Sequence, residues 1–258
     1  MQTLPATIHG QADPFTATQW SVIVAASETK DESEITRAAL AQLCHTYWPP
    51  LYTYIRARGY PRPDAQDLTQ GFFAYLIERK IYARSDREKG KFRSFLLASF
   101  KNFLSDSRDR EQTLKRGGGQ VFVPLHDSQT EAAESLFHTQ SSSDSGGALT
   151  DDRLFERSWA ETLVATVLDR VAAAYTAEGK ESLFRELQVF LTIGATPLPT
   201  YAELAARLAM RESTLRSHVT RLRARYRELL RAEVRRTVKT EAQVDAELRE
   251  LLRVLTGA

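Results

Sequence analysis

Apolar residues recur along most of this chain at steps of three and four, and no run alternates with the period of two that a half-buried strand requires. The pattern predicts an all-α protein. It is clearest from Pro199 to Arg236. Thr200 and Glu203 stand at capping-box spacing, so a helix starts at Thr200, and Tyr201, Leu204, Ala205 and Leu208 give it one apolar stripe that runs out near Ala209 and Met210. A second, longer helix follows at once. Leu215, Val219, Leu222, Tyr226 and Leu229 share one of its faces and can pack on the first.

Upstream, Thr18 can cap a short helix through Trp20, Ile23 and Val24. A further helix begins near Ser33, runs through Leu40, Leu43 and Tyr47, is interrupted by Pro49 and Pro50, and resumes through Leu51, Tyr54 and Ile55 to a stop at Gly59. Pro61 and Pro63 open the next helix, with Asp64 as N-cap, Asp67 in the first turn, and Leu68, Phe72, Tyr75 and Leu76 on the buried face. Lys91 to Leu104 forms an aromatic helix whose core side carries Phe92, Phe95, Leu96 and Phe103. Trp159, Leu163, Val167 and Val171 build another helix, and Leu183, Phe184, Leu187, Phe190 and Leu191 the next. Val244, Leu248, Leu251 and Leu255 make a last amphipathic helix that must dock on something.

Composition changes this picture at one place. Glu111 to Asp152 loses the pattern: Lys115-Arg116-Gly117-Gly118-Gly119 leads into a short extended Val121 to Pro124 and then a serine- and glycine-rich stretch from Ser141 to Gly147. That density reads as a flexible linker. The expected organisation is therefore a mobile end at residues 1–17, a helical domain at 18–112, a linker at 113–152, a second helical domain at 153–236 and a helical extension at 237–258. With 258 residues, 42% hydrophobic and 26% charged, the chain has the composition of a soluble globular protein. No apolar run approaches the roughly 20 residues of a spanning helix, and no secretory pattern opens the chain, so a cytoplasmic protein without a membrane span is expected. Cys44 is the single cysteine, which excludes a disulfide framework and a thiolate zinc site and makes it a core residue.

The net charge of only +2 hides a local concentration. Arg211, Arg216, Arg221, Arg223, Arg225, Arg227, Arg231, Arg235 and Arg236 face only Glu212, Glu228 and Glu233 within the same stretch. Guanidinium forks match phosphate and guanine edges, so this helix suits a polyanion, and the two-helix spacing suits a DNA-binding helix-turn-helix. The N-terminal half of such a helix reads bases, which singles out Ser213, Thr214, Arg216, Ser217, His218, Thr220 and Arg221. Arg223, Arg225 and Arg227, one or more turns later, should meet phosphate or solvent. Asp64 and Asp67 are better read as helix-start carboxylates than as a catalytic or metal pair, since no histidine or further acid stands at a suitable offset. No enzyme activity, metal or cofactor is expected.

Asp64-Ala65-Gln66-Asp67-Leu68-Thr69-Gln70, Lys91-Phe92-Arg93-Ser94-Phe95-Leu96 through Asn102, Asp106 and Arg110, and Tyr201-Ala202-Glu203-Leu204-Ala205 with Thr214-Leu215-Arg216-Ser217 together resemble a bacterial RNA polymerase sigma factor of the extracytoplasmic-function type. The resemblance spans roughly Leu40 to Arg110 and Trp159 to Arg231, in a linker-extended branch. It implies two small helical domains, a region-two-like bundle and a region-four-like helix-turn-helix domain. Asp64, Asp67, Leu68, Gln70 and Phe73 would then bind core polymerase, whose largest-subunit clamp and flap regions are the implied partners. Arg93, Lys101, Asn102, Arg108 and Arg110 would hold the minus-ten promoter element, and the long arginine helix would read the minus-thirty-five element. An anti-sigma factor is a further implied partner. Relatives carry glycine where Ala209 stands and a serine cap where Arg211 stands, and the chain continues from Val234 to Ala258 beyond their usual end. The rival expectation is a stand-alone helix-turn-helix regulator whose N-terminal domain senses a ligand or dimerises. A rival of another class, an enzyme using Asp64, Asp67 and Glu78, is disfavoured.

Overall fold

A computed structural model of the chain describes residues 34–84, 91–113, 127–143, 150–191, 198–238 and 241–256. Among them all regular structure is helical: α1 (Glu34–Ala57), α2 (Arg62–Glu78), a 3-10 turn (Ile81–Arg84), α3 (Phe92–Thr113), α4 (Asp127–Ser143), α5 (Asp151–Ala177), α6 (Glu181–Leu187), a 3-10 turn (Gln188–Leu191), α7 (Tyr201–Arg207), α8 (Glu212–Thr237) and α9 (Glu241–Thr256). The expected mobile end, the helix around Trp20 and the extended Val121 to Pro124 lie outside the described residues.

Helix α1 is unbroken across Pro49 and Pro50, where an interruption was expected. A proline in a helix interior costs about 3 kcal/mol. Here Leu43, Tyr47, Trp48, Leu51, Tyr52 and Ile55 are all buried, and this packing on both sides of the prolines outweighs their local cost. Helix α2 starts earlier than the sequence suggests, with Pro61 as N-cap and Pro63 in the first turn, where a missing N–H leaves no bond unmade. Asp64 is thus inside the first turn rather than at the cap, and Asp67 falls beyond it.

The hydrophobic interior forms two clusters. The larger joins α1, α2 and α3 to Ala133 of α4, to Phe155, Trp159, Ala160, Leu163 and Val167 of α5, to Val234 of α8, and to Val244 and Leu251 of α9. The smaller gathers Val171 and Tyr175 of α5, Phe184, Leu187 and Phe190, Leu204 and Ala205 of α7, and Leu215, Val219 and Leu222 of α8. Two long helices belong to both. At 1.5 Å per residue, α5 and α8 are each about 40 Å long, enough to cross from one cluster to the other. The boundary expected at residue 153 therefore does not separate the cores, because the first four turns of α5 lie in the larger one.

The expected linker contains helix α4, a correction with a visible cause. Glu134 of α4 takes a bidentate pair from Arg56 of α1, Nη2 to Oε1 at 2.7 Å and Nε to Oε2 at 3.0 Å, and accepts a hydrogen bond from the Tyr52 hydroxyl. Arg56 also lies over the Phe137 ring at 4.9 Å. These tertiary contacts, together with buried Thr130 and Ala133, fix a segment whose own apolar stripe is thin.

Candidate nucleic-acid interface

The expected capping box is present. The Glu203 N–H donates to Thr200 Oγ1 at 3.2 Å, and the Thr200 N–H donates to Glu203 Oε2 at 2.9 Å. Leu204 and Ala205 then bury one side of α7. The chain turns at Ala209, whose φ of +52° is left-handed, and Met210 N–H closes the turn on Ala205 O at 3.0 Å. Left-handed backbone crowds a Cβ against the following carbonyl, so this is the place where glycine fits best. Ala209→Gly is expected to raise stability by about 1 kcal/mol, read as a higher urea midpoint at unchanged slope. A lower midpoint would mean that the alanine methyl supplies packing worth more than the strain.

Helix α8 begins after Arg211, which serves as N-cap without a side-chain hydrogen bond. Leu215, Val219 and Leu222 anchor it in the smaller core. Opposite that face, Ser213, Thr214, Arg216, Ser217, Thr220 and Arg221 are exposed, whereas His218 is half-buried. The hydroxyls of Ser217 and Thr220 donate back to the carbonyls of Ser213 and Arg216, at 3.1 and 2.9 Å. The Arg216 guanidinium stands over the Tyr201 ring at 4.6 Å and bonds Glu212 through Nη2 at 2.5 Å and Nε at 3.0 Å. It is thus held between Tyr201 of α7 and Glu212 of α8.

The nine arginines divide by partner. Arg216, Arg225, Arg231, Arg235 and Arg236 each meet a carboxylate: Glu212, Glu178, Asp245, Glu241 and Glu233 respectively. Arg211, Arg221, Arg223 and Arg227 pair with no carboxylate among the described residues. Arg223 and Arg227 border a hollow of about 420 Å³ shared with Phe190, Leu191, Thr220 and Tyr226. Below it, Phe190 stacks on Tyr201 with centroids 5.2 Å apart. Hydrogen bonds from Lys180 and Arg225 hold the Glu178 carboxyl down to about 2, so it stays charged and keeps Arg225 neutralised over the ordinary pH range. The positive field of α8 thus concentrates toward its first half.

The residues that the resemblance assigns to polymerase are not all available. Asp64 and Asp67 are exposed and Leu68 and Gln70 half-buried. Phe73 is fully buried and stacked on Trp48 at 6.0 Å, so it belongs to the core rather than to a docking surface. The minus-ten set divides as well. Asn102 is exposed, and Lys101 pairs with Asp152 at 2.7 Å. The Arg108 and Arg110 backbones continue α3, and their side chains lie outside the described residues. Arg93 is 4% exposed, pairs with Glu156 at 2.5 Å and with Glu247, and lies 4.1 Å from the centre of the Trp159 ring. Its surface role is therefore corrected: Arg93 is an interior cation that ties α3 to α5 and α9.

Sequence reading also missed Glu247, which is 3% exposed and is met by both Lys91 and Arg93. Its signal was an acid on the apolar side of an amphipathic helix, between Val244 and Leu251. Burial pushes the Cys44 thiol up to about 12, as suits an inert core residue. Among the described residues no group of three or more histidine, cysteine or acidic side chains is placed to hold a metal ion, and no helix is long and apolar enough to cross a membrane. Comparison with protein-family models, curated proteins and solved structures finds no match to this chain.

Proposed function

We propose that this protein is a transcription initiation factor of the extracytoplasmic-function sigma type, which binds core RNA polymerase and directs it to promoters. The observation that carries the reading is the α7, turn and α8 unit, with exposed hydroxyls and Arg216 on the first turns of α8 and arginines free of carboxylates after them. Base edges take bidentate and hydroxyl contacts, while phosphates take the remaining arginines without regard to sequence. The polymerase supplies the catalysis. Promoter-dependent transcription with purified core polymerase tests the reading directly.

A second reading, a stand-alone helix-turn-helix regulator, is favoured by the burial of Phe73 and Arg93 and by the sharing of α5 and α8 between both cores. It needs no polymerase. Asp67 separates the two readings, because it is exposed and beyond the first turn of α2, so that its replacement leaves the fold intact. Asp67→Lys is expected to weaken core-polymerase binding by several kcal/mol in a pull-down titration, as charge reversal at an interface does. Unchanged affinity, or none in the wild type, favours the regulator.

Both readings expect a division of labour along α8. Arg216→Ala is expected to cost about 1–3 kcal/mol and to relax preference at one position of the site, whereas Arg227→Ala weakens all sequences alike and lowers the salt slope by about one unit. Selection from a random duplex pool checks this. An identical consensus for wild type and Arg216→Ala would move the reading face elsewhere on α8.

A further inference from the structure

Four cations converge on three acids of α9. Glu241 meets Arg235 and, at 3.5 Å, Arg231, while Asp245 meets Arg231 at 2.5 Å. Glu247 meets Lys91 at 2.7 Å and also Arg93. The four come from the far half of α8 and from the start of α3, two elements more than a hundred residues apart in sequence. The two ends of this arrangement differ in kind. Around Glu247 the pairing is interior and accompanied by buried Val244 and Leu251, so it anchors α9. Around Glu241 and Asp245 it is at the surface: their side chains are 62% and 67% exposed, and those of Arg235 and Arg231 are 39% and 45% exposed. Exposed pairs of this kind contribute little to stability and exchange readily for another anion, and they are screened by salt.

We propose that Arg231 and Arg235 form a second contact surface for the DNA phosphodiester backbone, and that Glu241 and Asp245 of α9 occupy it as internal phosphate mimics. This rests on the reading of the chain as a DNA-binding protein. The docked helix keeps the distal arginines neutral while the first turns of α8 remain uncovered, so weak sequence-independent binding is held down without loss of the base-reading contacts. A phosphate backbone brought alongside α8 can displace the two carboxylates while Val244, Glu247 and Leu251 keep the helix in place. Each arginine released to a phosphate adds close to one unit of salt dependence.

The test uses the full chain with Glu241→Gln and Asp245→Asn together, and fluorescence anisotropy with random-sequence duplex and single-stranded DNA over a salt series. The expected result is about tenfold tighter binding at low salt and a log–log salt slope steeper by about two units. The two DNA arms show which backbone the surface takes. Glu78→Gln with Glu131→Gln makes the same change of net charge at exposed sites on α2 and α4 and is expected to move affinity less than twofold. Adding Arg231→Ala and Arg235→Ala to the uncovered variant is expected to erase the gain. Unchanged affinity in the uncovered variant, an equal gain in the control, or a gain that survives loss of both arginines would each overturn the proposal and leave the DNA reading standing on the Arg216→Ala result. Failure of every variant and the wild type to bind DNA at any salt would remove the DNA reading itself, and the proposal with it.

Discussion

Arg93→Ala is expected to destabilise the fold by about 3–5 kcal/mol, the cost of leaving a buried charge without its partner. Glu247 is 3% exposed and would keep only Lys91, a lysine whose own charge is disfavoured by burial. Trp159 would lose the cation above its ring, a contact worth about 1–2 kcal/mol when desolvated. Arg93→Lys recovers only part of the loss, because an ammonium cannot bond Glu156 and Glu247 together while lying flat on an indole. Urea melts of the two variants and the wild type measure this. A loss below about 1 kcal/mol, with DNA binding abolished, would return Arg93 to the DNA surface.

The second large effect is expected at the joint between α1 and α4. Glu134→Gln should lower stability at pH 7 by about 2–4 kcal/mol, since it leaves Arg56 with a neutral partner in a site where the two side chains are only 17% and 13% exposed. Burial pushes the Glu134 carboxyl up, but hydrogen bonds from Arg56 and Tyr52, with the Arg56 charge, outweigh it and hold the value below the ordinary 4.5. A carboxylate lowered on folding supplies stability that is complete above its unfolded value. That stability is lost as pH falls through the folded one. The gap between wild type and variant should therefore be full at neutral pH and shrink below about pH 4.5, as Glu134 takes up its proton. His138, which faces the same carboxylate at 3.3 Å, stays in both proteins. Urea melts at neutral and acid pH provide the comparison, and a gap that does not change with pH would mean the pairing is not what holds α4.

These two sites also mark what was legible in the chain. Features set by neighbours in sequence were readable: the Thr200 and Glu203 capping box, the apolar stripe of α8 and the stop at Gly59 all follow from local geometry. Features set by distant partners were not. Arg93 stands one residue from Phe92 and looks like any surface cation until Glu156 and Glu247 arrive from other helices. Phe73 falls outside the stripe of Leu68, Phe72, Tyr75 and Leu76, and the resemblance assigns it to polymerase, yet it is buried against Trp48. Helix α4 hid behind glycine and serine, because its hold on α1 comes from Glu134 with Arg56 and Tyr52, Phe137 under Arg56 and two small buried residues rather than from a wide apolar face. The assignment of DNA to α8 rests on a pattern of arginines that sequence already displayed; which of them are neutralised depends on Glu178, Glu241 and Asp245, which lie outside α8.

The passage of α5 and α8 through both cores bears on transplantation. A reading unit joined by a slack tether can be lifted from one protein and grafted onto another with its specificity intact. Here the cut would run through two continuous helices, exposing Trp159 and Val167 on one piece and orphaning Val234 on the other. On the proposed DNA reading, a change of sequence preference would then arise by substitution along the first turns of α8, and a chimaera that exchanges the unit whole would inherit an unfilled interior.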